Sequence, residues 1–154
     1  MYERILVPVD GSSTSNRGLD EAILMARLTG GCIRLVHVVD EWPFVLSADT
    51  LAPYTADVQS LLREGGEAVL TRARAKVAAC GIPVDTVLHD NLQGRVCDLV
   101  VDDARAWRAD LIVIGTHGRH GVERVLLGSD AERILRVAPV PVLLVRAAPA
   151  GHLA

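Results

Sequence analysis

Five short runs of branched aliphatic residues alternate with four segments of helical period, and this alternation constrains the fold more than any other feature of the chain. The runs are Arg4 to Val9 (RILVPV), Cys32 to Val39 (CIRLVHVV), Pro83 to His89, Leu111 to Ile114 and Pro141 to Arg146 (PVLLVR). Between them lie Thr14 to Leu28, Asp57 to Ala79, Gly94 to Trp107 and Leu127 to Val137. In the first of these, Leu19, Ala22, Ile23 and Ala26 share one helical face. Successive strands joined by helices cross over and pair in parallel, and a parallel sheet needs both faces covered. The sequence therefore predicts the α/β class: a single doubly wound domain, a five-stranded parallel sheet with helices on both faces. At 154 residues the chain holds one full core and is short for two. Residues 1–147 are expected to form the domain and residues 148–154 a disordered tail.

Composition narrows the function classes. Half of the residues are hydrophobic but only 3% are aromatic, so the core must be built from Leu, Val, Ile and Ala. Net charge is −3 and Lys76 is the sole lysine, so no basic stripe marks a nucleic-acid surface. Met1 to Leu6 runs straight into a strand without the apolar core of a signal peptide, and no apolar run reaches bilayer-spanning length. A soluble cytoplasmic protein is expected. Cys32, Cys80 and Cys97 are odd in number and scattered, which fits small apolar residues better than a disulfide framework or a zinc site. The connection from Asp40 to Ala56 is long and carries Trp42, Phe44 and Tyr54, as functional loops often do. Gly65-Gly66 sits inside the second helical segment at a cost of about 1 kcal/mol each against Ala. A bend or a close backbone approach is the plain reading of that pair.

In doubly wound sheets ligands gather beyond the carboxyl ends of the strands, where the winding reverses. One such segment is GTHGRHGVERVLLGS, Gly115 to Ser129, with glycines at Gly115, Gly118, Gly121 and Gly128. A phosphate site needs converging backbone N–H groups, which glycines allow and a helix N-terminus supplies. Arg119 and Arg124 offer cations, and Thr116 and Ser129 offer hydroxyls. Neither the Walker A pattern nor the dinucleotide fingerprint fits: no Lys precedes Ser129, and the first glycine spacing is wrong. Ser129-Asp130-Ala131-Glu132 also matches a capping box, with Ser129 bonding the backbone and Glu132 reaching back. Composition alone leaves cradle and cap both open. His117 and His120 stand three apart without a third ligand cluster, which argues against a metal site.

The full spacing Gly115-x2-Gly118-x9-Gly128-Ser129 resembles the G-x2-G-x9-G-S/T signature of the universal stress protein family, in its ATP-binding branch. The resemblance extends to RILVPVDGS at Arg4 to Ser12, LVHVVD at Leu35 to Asp40, ADLIVIGTHG at Ala109 to Gly118, and LLGSDAERILRVAPVPVLLVR at Leu126 to Arg146. It implies strand order 3-2-1-4-5 and a homodimer paired through the last strand, Val140 to Val145. It implies ATP, or ADP or AMP, held with Mg²⁺, in a stress-linked regulatory module that acts on an unidentified protein partner. The same resemblance assigns roles. Pro8 and Val9 end the first strand against the nucleotide, and Asp10 lies near the ribose or a phosphate-bound metal. Val38 meets adenine through its backbone. Gly115, Thr116, His117, Gly118 and Arg119 wrap ribose and phosphates. Gly128, Ser129 and the Asp130 N–H hold phosphate at the helix start. Asp130 departs from the usually uncharged residue there. Asp10-Gly11-Ser12-Ser13 is also a plain turn and helix-entry sequence.

Other readings have less support. A slow Mg-dependent ATPase would use Asp10, Ser129 and Arg119, with only His117 or His120 to activate water. A flavin carrier is suggested by Ser12-Ser13-Thr14-Ser15, against the scarcity of aromatics. A receiver domain lacks the Lys expected where the last strand ends in Arg146.

Overall fold

The chain builds its strands from the predicted runs, in the order β1 (Arg4–Pro8), α1 (Ser13–Thr29), β2 (Cys32–Asp40), α2 (Ala56–Ala78), β3 (Val84–Asn91), α3 (Val96–Trp107), β4 (Leu111–Gly115), α4 (Ser129–Val137) and β5 (Val142–Val145). This is a computed structural model, and it describes residues 1–40, 56–91, 95–116 and 127–146. The five strands pair in parallel in the order β3-β2-β1-β4-β5, as expected.

Strand alternation divides the core in two. Ile5, Val7, Ile33, Leu35 and Val113 face α1 and α2, where Leu19, Ala22, Ile23, Ala26, Val69, Leu70, Ala73 and Val77 meet them. Leu6, Val36, Ile112 and Ile114 face the other layer, packing on Cys97, Val100, Val101 and Ala104 of α3 and Ala131 and Ile134 of α4. Ile5, Leu6, Leu19, Ile33, Leu35, Ile112 and Ile134 are fully buried, each contributing about 1.5–3 kcal/mol by leaving water. Helix α1 starts on Ser12, whose Oγ accepts the Ser15 N–H at 3.2 Å, and ends on Gly30 at φ 70°, a left-handed conformation that glycine adopts without strain.

At the amino end of the sheet, the guanidiniums of Arg4 and Arg34 lie over the Trp107 ring of α3, 4.7 and 4.9 Å from its centroid. Arg34 also pairs with Asp85 at 2.6 Å and Asp103 at 3.3 Å. The hydrogen bond to Asp85, chiefly, holds its pKa above the ordinary value. This stack pins α3 to β1, β2 and β3. No described helix is long and apolar enough to cross a membrane.

The predicted capping box on the fourth helix is not made. Gly128 is the N-cap, its carbonyl accepting the Glu132 N–H at 2.9 Å, so Ser129 is already helical. Glu132 turns forward instead and pairs with Arg136 at 2.7 Å. The helix starts there because Gly128 N–H is tied to the Thr116 carbonyl at 2.8 Å, a contact that local sequence cannot reveal.

Candidate functional site

The winding reverses between β1 and β4, and there the sheet opens. From β1 the chain goes to β2 and then β3 on one side; the crossover after β3 reaches β4 on the other. The β1–β2 ladder runs from Arg4↔Cys32 to Pro8↔Val36, whereas β1 meets β4 only at Ile5↔Leu111 and Leu6↔Ile112. Both strands continue beyond that last pair. Pro8 is a local cause. Val9 donates its N–H to the Val36 carbonyl at 2.8 Å, so strand alternation aims position 8 at β4, where proline has no N–H to give.

Beyond β1 the chain turns away sharply. Asp10 Oδ1 accepts the Ser12 N–H at 2.9 Å, Asp10 N–H donates to Ser15 Oγ at 3.2 Å, and Gly11 sits at φ 80°. The half-buried Asp10 carboxylate thus shapes the entry to α1, as its turn sequence suggested. It also stands at the mouth of the opening, beside the end of β1.

The far wall is β4 and the start of α4. Thr116, buried, donates its N–H to the Val145 carbonyl at 2.9 Å and accepts from Gly128 through its own carbonyl. The connection that leaves the sheet after Thr116 therefore returns to it at Gly128. Gly115 is needed for close approach: a Cβ there would lie 2.7 and 2.8 Å from the Thr14 carbonyl carbon and oxygen. Gly18 answers from α1, its added Cβ falling 3.3 Å from Gly115 N. The first turns of α1 thus rest directly on the β4 backbone.

Helix α4 presents its N-terminus at this edge with a side-chain-free N-cap and no side-chain cap hydrogen bond. Its first-turn amides and dipole favour an anion. Gly128 itself spends its N–H on Thr116, so it forms the bend rather than donating to a ligand. Ser129 and Asp130 are exposed in the first turn; the Asp130 carboxylate adds negative charge there, and helps to hold the Cys97 thiol protonated.

The remaining wall is β2. Ile33 N–H points to β3, donating to the Pro83 carbonyl at 2.9 Å, and Val36 faces β1, so Val38 also turns its backbone edge towards β1. It does so one step beyond the last β1 pair. Its side chain packs on the α3 and α4 layer.

Pro8, Val9, Asp10, Val38, Gly115, Thr116, Gly128, Ser129 and Asp130 thus come from four elements to one edge of the sheet. His117, Gly118 and Arg119 lie outside the described residues, as do Gly121, Arg124 and the interior of the 40–56 connection. Among the described residues no group of three or more His, Cys, Asp or Glu is placed to hold a metal ion. One residue of the site went unassigned in the sequence. His37, 5% exposed, has its Nδ1 2.7 Å from the Val9 carbonyl, and its ring rests on Gly66 of α2. The signal was a single polar residue inside the apolar run LVHVVD.

The domain is thus a doubly wound parallel α/β sheet whose β1 and β4 part at the switch point, with the N-terminus of α4 at the same edge. The sequence profile of the universal stress protein family matches residues 1–146, and the chain belongs to that family. A universal stress protein of Methanocaldococcus jannaschii is 35% identical over 147 residues, covering 95% of this chain and 83% of that protein. A universal stress protein family structure from Burkholderia pseudomallei superposes with a TM-score of 0.74 at 31% identity, covering 95% of this chain and 97% of that one. A universal stress protein from Archaeoglobus fulgidus in complex with dAMP has a TM-score of 0.67 at 25% identity, covering 94% and 98%.

Proposed function

We propose that the protein binds an adenine nucleotide, ATP above all, at the carboxyl edge of its sheet and acts as a dimeric regulatory module. The observation that carries this reading is the parting of β1 from β4 after two pairs, with the α4 N-terminus and the Val38 backbone edge at the same end of the sheet. The residues present fit the parts of the ligand. The Val38 N–H and C=O offer a donor and an acceptor to a base edge, Asp10 stands where ribose or nucleotide-bound Mg²⁺ would lie, and α4 offers amides to phosphate. The dAMP complex of the Archaeoglobus fulgidus relative supports an adenine nucleotide as the ligand class. His117, Gly118 and Arg119 complete the proposed cradle from the connection between Thr116 and Gly128.

Strand β5 lies at the edge of the sheet with Val142, Leu143 and Leu144 half-buried, which supports pairing of Val140 to Val145 with a second copy. Nucleotide occupancy would then bias the dimer or the 40–56 connection, and a cytoplasmic partner would read the difference. The test is to denature freshly purified protein and identify the released nucleotide by mass spectrometry. An adenine nucleotide is expected, and it should vanish when Gly118 is replaced by Phe in a protein that remains folded. Cargo retained by that variant would count against the cradle.

A further inference from the structure

We propose that His37 is a positioning residue of this site: its Nδ1–H holds the Val9 carbonyl so that the Val38 backbone edge is left to the base, and Gly66 is the notch that admits the ring. The proposal rests on the nucleotide reading above. It begins with a rung of the sheet. The β1–β2 ladder closes with Val9 N–H donating to the Val36 carbonyl at 2.8 Å. In a regular parallel ladder the next rung carries the Val38 N–H to the Val9 carbonyl. Here that carbonyl takes the His37 imidazole at 2.7 Å.

A carbonyl oxygen only accepts, so Nδ1 carries the proton. The ring is thereby fixed in one tautomer by a bond to β1, while its own backbone belongs to β2. One side chain sets the spacing between the two strand ends assigned to the base, and it engages the carbonyl that the next rung of the ladder would use. Val38 follows His37 directly, with its side chain in the opposite layer, so the imidazole orients the reading edge without entering the pocket.

Gly66 explains how α2 tolerates this. A Cβ at Gly66 would lie 2.7 Å from His37 Cδ2, 3.0 Å from Nε2 and 2.9 Å from Leu88 Cδ1. The ring is buried and held by its bond to Val9, so it cannot retreat without releasing that carbonyl. Gly65, one residue earlier in the same helix, meets nothing within 4 Å. The glycine pair is thus asymmetric: Gly66 makes the close approach, and Gly65 makes none.

The test titrates ATP and GTP calorimetrically into the nucleotide-stripped full chain and its variants, with folding checked by circular dichroism. His37→Leu and Gly66→Ala should each weaken ATP binding by about tenfold and erode its preference over GTP. His37→Asn, which retains an N–H, should recover most of what Leu loses, and Gly65→Ala should bind as the parent does. Folded His37→Leu and Gly66→Ala proteins with parental affinity and base preference would overturn the proposal alone. Failure of the unaltered protein to bind either nucleotide would overturn the nucleotide reading with it. Should the variants fail to fold, imidazole ¹⁵N NMR of the unaltered protein decides. A protonated Nδ1 on His37 is expected, and a ring protonated only at Nε2 overturns the assignment.

Discussion

Asp130 is the residue at which this chain sets two demands against each other. A carboxylate in the first turn of α4 complements the helix dipole, yet it stands where a phosphate would bind. Asp130→Asn should lose a few tenths of a kcal/mol of stability and raise affinity for ATP relative to AMP by about two- to five-fold, since charge near a helix end is worth about 0.3–1 kcal/mol. Paired calorimetric titrations check this, and an unchanged ATP-to-AMP ratio would place the carboxylate clear of the phosphates. Cys97 illustrates an assignment made correctly from sequence. Burial, chiefly, with Asp98 and Asp130 adding to it, pushes its thiol up to about 11. It should therefore resist iodoacetamide at pH 8 in the folded protein and react only on unfolding; rapid native-state labelling mapped to Cys97 would contradict the packing. Asp10 was legible as a turn residue because its partner Ser12 lies two positions away. His37 was not, because its partners Val9 and Gly66 come from other elements.

Strand and helix existence was legible because each run carries its own period, but boundaries depended on contacts from elsewhere. The capping box at Ser129 shows the difference: the local pattern was valid, yet the tie from Gly128 to Thr116 moved the cap one residue back. Gly115 shows the converse, a glycine expected to wrap ribose and phosphate whose described role is close approach to α1. Backbone atoms of Thr14 lie where its Cβ would go, and backbone cannot turn aside as a side chain can. Gly115→Ala should therefore cost about 1–3 kcal/mol, in the range of overpacking, and should displace α1 from β4. Chemical denaturation measures the loss, and Gly65→Ala, with open space around its new methyl, should show none. Equal stability of Gly115→Ala and the parent would mean that α1 does not rest on β4 as described.

At the scale of the molecule, alternating strands and helices fixed the class, and the resemblance supplied the strand order that periodicity alone left open. The sheet then carries its own reason for a site: a switch point where β1 parts from β4 after two pairs. Strand β5 is an edge strand of the sheet, and a second copy is expected to pair with it. Sedimentation should therefore give about twice the 16.5 kDa chain mass at micromolar concentration, and a monomer would remove the dimer from the proposal.

The claim on which the rest depends is that the opening between β1, β2, β4 and α4 takes an adenine nucleotide. Its most direct test is calorimetric titration of ATP with Mg²⁺ into nucleotide-stripped protein. Saturable binding at one nucleotide per chain is expected, with ATP preferred over GTP; a titration that shows no binding of ATP would overturn the claim.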